Sequence, residues 1–511
     1  MADSYSTAVP APEVGSERDQ DLERDGDGTA GSPLRGALRL LVAGGVGKAG
    51  VALFAVMLGI SIYVVATYPL DFGSARWSNP VLWGDNPKNA PPAWTAWYDD
   101  GELVNQEESL SEPTEVRANA TGQVREIRTY RFELPYDAEE FPTGLSLTLP
   151  GVTYHGPRPP AILISLVRPD GSQLRLASVP VTASRPGETA PYRRNYDDPL
   201  RVLLSAEPGV IQAVRQAYGE KYPGIPAPAD LDRRPTAALF GRPAEDGSGG
   251  LEPLTGRYAL DLQVIVADER DEIAGARVVL GGTVYGWMGT DGLGRDLFEG
   301  LLYGFPVGLL IAFLAAILST LIGASLGILS GYAGGATDAV IQRLSDIVSN
   351  VPTLPLLIFL VSVMGRHLWL IILFLVLFSW PGLTILVRSM VLQIRSGQLV
   401  EAARALGASR TRIMLRHVFP QTAPFIVAQM IFFAPGAILA EASLSFLGLG
   451  DPSIPTWGQM LEAGFRTGAL YVGYWWWILP PGILIVVTAL AFMLLALAME
   501  PVVDPRLRKT T

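Results

Sequence analysis

From Leu297 onward the chain is a succession of apolar runs, each long enough to cross a lipid bilayer. The hydrocarbon layer is about 30 Å thick, which roughly 20 residues of α-helix span. The runs occupy residues 301–329, 339–364, 368–387, 424–447 and 475–499, and one more lies apart at 49–66. Inside lipid a backbone N–H or C=O has no water to bond, so each run is expected to be a helix. Several exceed the minimum length and are expected to tilt or project beyond the bilayer. These segments predict a membrane all-α core of about six transmembrane helices.

Charge supplies an orientation. Arg35, Arg39 and Lys48 precede the first run, and Arg388, Arg395, Arg404, Arg410, Arg412 and Arg416 crowd the connection between the fourth and fifth spans. Arg506, Arg508 and Lys509 close the chain. Basic residues stay on the cytoplasmic side, and with six spans all three places fall there, which puts both termini in the cytoplasm. Residues 1–46, rich in Asp, Glu, Ser and Gly, are expected to be a disordered cytoplasmic tail, and 501–511 a second, short one. Residues 47–68 are expected to be an uncleaved first helix, because the apolar run is longer than that of a signal peptide. The net charge of −10 and the confinement of arginine to particular loops argue against a nucleic-acid partner.

Residues 69–285 differ. They are polar and Pro-rich, of a size that makes a domain by itself. Residues 124–134 alternate apolar with polar, as a half-buried strand does. Residues 162–181 read as a hairpin turning at Asp170-Gly171, and 258–267 and 277–285 add two strands. The expectation is an extracytoplasmic, β-rich, sandwich-like insert between the first and second helices, with one helical pattern at 208–222. Residues 286–500 then hold five transmembrane helices. The Asn119-Ala120-Thr121 sequon matters only in a glycosylating host.

Chemistry-bearing residues are scarce. The absence of cysteine excludes disulfides, thiolate metal sites and thiol catalysis, and His155, His367 and His417 are too few to suggest a metal site. No Gly-rich loop ends in Lys-Ser or Lys-Thr, so the chain is not expected to bind ATP, and no cofactor is expected. The most informative segment is Glu401-Ala402-Ala403-Arg404-Ala405-Leu406-Gly407 with the residues that follow, to Pro420. It reads as two short helices about a turn, with Gly407 in the left-handed position that ends the first and Ser409 capping the second. Ala402 and Ala403 offer a small face for another backbone. A loop that only obeyed the positive-inside rule would need none of this.

That segment resembles the shared cytoplasmic loop of the permeases of ATP-binding-cassette importers. Glu401, Ala402, Ala403, Gly407 and Pro420 match its spacing, while His417 and Phe419 stand where Ile and Leu are usual. The stretch from Gly289 to Asp296, ending in Leu301-Leu302-Tyr303-Gly304, looks like the approach to the second span in dipeptide and oligopeptide permeases. Ser443 to Gly450 and Pro455-x-Trp457-Gly458-x-Met460-Leu461 look like their last outer loop, and Gly331 to Gly335, Asp338 and Asp504-Pro505-Arg506 also fit. The resemblance implies a bacterial inner-membrane permease with the importer permease fold, forming half of a translocation path for peptides or similar small solutes. It implies that Glu401, Ala402, Ala403, Arg404, Gly407 and Pro420 couple to an ATPase. The implied partners are a second homologous permease in a heterodimer, two ATP-binding subunits, an extracytoplasmic substrate-binding protein and membrane lipid. Hydrolysis is expected on the partners, so this subunit is not an enzyme. Residues 72–286 fall outside the resemblance.

Glu441, an acid inside the fifth span, either lines the translocation path, bonds to a neighbouring helix, or sits near the outer interface held by water and Ser443. Asp338, Arg343 and Asp346 are expected to pair locally. Trp475-Trp476-Trp477 reads as an interfacial aromatic belt. An ion-coupled secondary transporter would need several intramembrane acids on a cavity, and a membrane-anchored extracytoplasmic receptor would need only one span.

Overall fold

The structure, a computed structural model, describes residues 44–98, 101–118, 125–225, 227–244 and 249–503, with side chains to Met499. Most of the N-terminal tail, the sequon at Asn119, the terminal basic residues and Asp504-Pro505-Arg506 lie outside the described residues.

The first helix, α1 (Gly45–Thr67), leads into a connecting segment whose Phe72, Trp77 and Trp83 are buried. Fourteen strands follow among the described residues. They are β1 (Gln106–Leu110), β2 (Glu115–Ala118), β3 (Glu126–Tyr136), β4 (Gly144–Leu149), β5 (Val152–Tyr154), β6 (Ala161–Val167), β7 (Gln173–Pro180), β8 (Tyr192–Arg194) and β9 (Leu200–Leu203). After helices α2 (Val210–Lys221) and α3 (Pro235–Phe240) come β10 (Gly241–Pro243), β11 (Leu251–Pro253), β12 (Gly256–Val266), β13 (Glu272–Ile273) and β14 (Ala276–Gly281).

Two antiparallel sheets dominate, ordered β2-β3-β12-β6-β7 and β1-β14-β4-β9. Alternation builds them: in β3, Tyr130, Phe132, Leu134 and Tyr136 point inward, and Phe132 pairs with Leu260 and Leu134 with Tyr258 of β12. One cluster of buried residues runs through both sheets, joining Ile164 and Leu262 to Leu147 and Val278. The β6–β7 hairpin turns at Gly171, whose φ is 77°. The two ends of the unit meet, since β1 pairs with β14 and the Thr283 N–H donates to the Leu103 carbonyl at 2.7 Å.

Residues 72–97 pack on the helices instead. Phe72, Trp77 and Trp83 share a buried cluster with Leu301, Trp457 and Trp477. A link to the sheets runs through Asp85, whose carboxylate accepts from Ser146 of β4 at 2.5 Å and from Arg201 of β9 at 2.8 Å.

The helical part comprises α4 (Leu297–Ala333), α5 (Gly335–Ser349), α6 (Thr353–Met364), α7 (Leu368–Arg395), α8 (Gln398–Ala405), α9 (Arg410–Ile413), α10 (Phe419–Phe446), α11 (Trp457–Arg466), α12 (Ala469–Val472) and α13 (Trp475–Val503). Five helices are long and apolar enough to cross a membrane, α1, α4, α7, α13 and the run Arg410–Phe446 that contains α10. The span expected at 339–364 is broken: α5 and α6 meet at 75° and make a sixth crossing only if the pair counts as one. Pro352 lacks the N–H that would continue α5, and a residue before proline is driven out of helical geometry, so the chain bends at Val351-Pro352.

Gly323, Gly327 and Gly331 of α4 recur every fourth residue along α7. A Cβ on them would stand 2.9 Å from the Trp380 carbonyl, 2.8 Å from that of Thr384 and 2.8 Å from Val391. Such a small-residue stripe lets two membrane helices approach closely.

Candidate coupling surface

The segment from Gln398 to Pro420 is positioned by what it buries. Val400 and Ala403 of α8 enter a cluster with Val387 and Val391 of α7, Ile413 of α9, and Val418 and Ile426 beyond it. On the opposite face Leu399, Leu406 and Leu415 are 57%, 88% and 66% exposed.

Gly407 ends α8 with φ 78°. Its N–H donates to the Arg404 carbonyl and the Ala408 N–H to that of Ala403, each at 3.0 Å. These two bonds and the Ala403–Ala408 contact make a Schellman termination, which needs a residue that tolerates positive φ. The Ser409 hydroxyl then accepts from the Arg412 N–H and starts α9.

Past α9 the helix widens into a π turn at Met414–Val418, where the Phe419 N–H reaches back to the Met414 carbonyl. Pro420 follows at once. It has no N–H for the carbonyl four residues back, and an ordinary turn would press its ring on that group, so widening the turn just ahead relieves the clash.

Among the sequence-predicted residues, Glu401, Ala402, Arg404 and Pro420 are exposed, while Ala403 is buried. The two alanines do not share a face. Consecutive helical residues point about 100° apart, so Ala403 seats α8 and Ala402 looks outward. Ala402, Leu399, Leu406, Arg412 and His417 line a shallow hollow of about 320 Å³.

Glu441 stands apart, near the other end of α10 and roughly 30 Å from Pro420 at the helical rise. Its side chain is buried, accepts from the Ser445 hydroxyl at 2.6 Å and bonds to Thr456. Ser443 does not hold it, because its hydroxyl donates to the Leu439 carbonyl. Nor does Asp338 pair locally: it accepts two hydrogen bonds from Arg388 of α7, at 2.6 and 2.5 Å, and one from Ser330. Arg388 is therefore part of a span helix rather than of the loop.

The segment Tyr285–Asp296 is a compact loop beneath the connecting segment. The Thr290 hydroxyl donates to the Pro87 carbonyl at 2.7 Å. Asp291 accepts from the N–H groups of Leu293 and Arg295, each at 2.9 Å, and pairs with the Arg295 guanidinium, which lies over the Trp77 ring. Asp296 caps α4 by accepting from the Phe298 N–H, and burial pushes its carboxyl up to about 6. Sequence reading missed Asp85, Arg201 and the Asp338–Arg388 pair. Each joins residues 50 or more positions apart, and no local pattern marks them.

Residues 323–509 match the family of binding-protein-dependent transport system inner membrane components. The dipeptide transport system permease protein DppC of Bacillus subtilis is 37% identical over 224 residues, 44% of this chain and 69% of that protein. The oligopeptide transport system permease protein OppC of the same organism is 35% identical over 44% of this chain and 72% of its own length. A probable peptide ABC transporter permease protein, y4tQ, of Sinorhizobium fredii is 39% identical over 44% and 76% respectively. A solved inward-facing MetNI methionine ABC transporter matches 40% of this chain at 21% identity with a TM-score of 0.34. The chain belongs to the family of binding-protein-dependent transport system inner membrane components. It is a permease subunit of an ATP-binding-cassette importer, a transport component that works with ATPase and substrate-binding partners.

Proposed function

We propose that this subunit forms half of a translocation path for peptides or similar small solutes and receives the power stroke of its ATPases through residues 401–420. The Schellman-terminated α8 carries the reading. Its inner face is fixed to α7 and α10 by Val400 and Ala403, and its outer face, with Leu406 88% exposed, is left for a partner. A helix so mounted passes a push directly to two membrane spans.

The path is completed by a second, homologous permease, lipid surrounds the pair, and two ATP-binding subunits sit on the cytoplasmic side with both termini. The β-rich unit lies on the outer face, where a substrate-binding protein docks, and guides that docking. Glu441 is a brace for the outer loop, since its carboxylate is engaged by Ser445 and Thr456. Hydrolysis belongs to the partners.

Two measurements test the reading. Glu401→Lys makes the loop uniformly basic and is expected to abolish uptake while the protein still inserts; normal uptake would refute the coupling role. The chain has no native cysteine, so one placed at Thr411 should resist an impermeant thiol reagent in intact cells and one at Gly171 should react. The reverse pattern would overturn the orientation.

A further inference from the structure

Two hollows follow one another along a single stripe of α4, formed by Leu321, Ser325, Leu329 and Tyr332 at spacings of three and four. The first is an apolar groove of about 520 Å³ between α4 and the chain from Thr411 into α10. Leu321 and Phe419, on its two walls, are 61% and 44% exposed. The Thr320 hydroxyl also lines it, buried and without a hydrogen-bond partner among the described residues. The second hollow, of about 460 Å³, continues from there at Tyr332 and Ala333 and is lined by Arg395, Arg404 and Arg410. From Thr320 to Ala333 the helical rise covers roughly 20 Å.

The guanidinium groups of these three arginines make no ion pair or hydrogen bond among the described residues, whereas that of Arg388, two turns from Arg395, is held by Asp338. Guanidinium groups gathered in one hollow repel each other unless an anion joins them. Their planar forks suit a phosphate, which each can hold through two N–H groups.

We infer that an anionic phospholipid occupies both hollows, its phosphate among Arg395, Arg404 and Arg410 and an acyl chain in the groove beside Thr320 and Leu321. Free phosphate or a partner's carboxylate would fill only the arginine end and leave the groove empty. A charged hollow beside an apolar groove, with Arg410 on the wall of one and Thr411 on that of the other, suits the head and tail of a lipid. Basic pockets between spans at the cytoplasmic surface take anionic head groups in this way. Arg404 and Arg410 flank the Gly407 turn, so the lipid pins the coupling segment to the membrane surface. This rests on the reading that places residues 401–420 at the cytoplasmic face.

The test uses the complete transporter, reconstituted in phosphatidylcholine nanodiscs doped with phosphatidylglycerol, then extracted for native mass spectrometry of the lipid it retains. Wild type should retain phosphatidylglycerol in preference to phosphatidylcholine. Arg395→Gln with Arg410→Gln should lower that preference about 25-fold, a factor of about five for each cation. Ser325→Trp, which fills the groove without changing charge, should lower retention as well. Unchanged retention in both variants, or equal loss of the two lipids, overturns the assignment. So does loss of the ATPase subunits from the arginine variant with phosphatidylglycerol retained, which gives the arginines to a protein acid. The coupling reading is scored separately, by uptake through the assembled Glu401→Lys variant, so either can fail while the other stands.

Discussion

Trp457 packs directly on Gly304: a Cβ there would stand 2.3 Å from the indole Nε1, which itself donates to the Leu301 carbonyl at 3.1 Å. Phe305 meets the same indole edge to face with centroids 5.1 Å apart. The start of α11 is thereby seated on the start of α4. Gly304→Ala is expected to displace the indole and cost about 1–3 kcal/mol, as overpacking does. Gly308→Ala, with the nearest Trp457 atom at 3.8 Å, should be tolerated. Thermal unfolding of the purified complex compares them, and equal midpoints would contradict the packing argument.

Arg388 and Asp338 join α7 to α5 through two hydrogen bonds at the end of the glycine stripe. Both side chains are partly exposed, 28% and 18%, so solvent tempers the pair. Arg388→Met should destabilise by about 1–2 kcal/mol, the figure for a charged hydrogen bond reduced by solvent screening. Adding Asp338→Asn should recover part of that loss, since the carboxylate is no longer left alone. A double-mutant cycle with no coupling energy would show that the pair contributes nothing.

Asp296 predicts a pH dependence. Burial raises its carboxyl from the ordinary 3.8 to about 6, with the neighbouring Glu299 adding to the rise and the Phe298 N–H opposing it. A raised pKa means that ionisation costs more in the folded state. The contribution is complete below the unfolded value of 3.8 and is lost as pH rises through about 6. Melting of the complex should therefore fall over that window, and Asp296→Asn, which still caps α4, should flatten this part of the profile. A wild-type profile as flat as that of the variant would contradict the assignment.

Most of the helical part was legible because its signals are local. Apolar length marks spans, and Gly407 with Ser409 marks the turn between α8 and α9. The break at Val351-Pro352 was legible in principle, yet apolar residues on both sides conceal it when hydropathy alone is read. In the β unit, β3, β6, β7 and β12 alternate and were found, and β14 was found as an apolar run without alternation. β1, reading QEESL, and the fully exposed β2, reading EVRA, carry no alternation of apolar with polar residues in sequence. Their pairing is fixed by neighbours distant in sequence.

The β unit should be excisable. Its ends meet where the Thr283 N–H donates to the Leu103 carbonyl, so a short Gly/Ser bridge replacing residues 103–283 need not stretch. The truncated chain should insert and assemble, because residues 72–97 keep their place on the helices, and it should lose affinity for the loaded binding protein. Uptake at the wild-type rate and affinity would exclude a docking role. The isolated unit should give a β-type circular dichroism spectrum.

The central claim is that the turn at Gly407 transmits ATPase motion to the spans. Its φ of 78° lies beyond proline's reach, and Gly407→Pro also removes the N–H bonded to Arg404. The direct measurement is ATP hydrolysis by the reconstituted complex, with and without substrate-loaded binding protein, for wild type and Gly407→Pro. The account predicts stimulation in wild type and its loss in the variant, with all subunits still assembled. Stimulation of the assembled variant equal to that of wild type would contradict it.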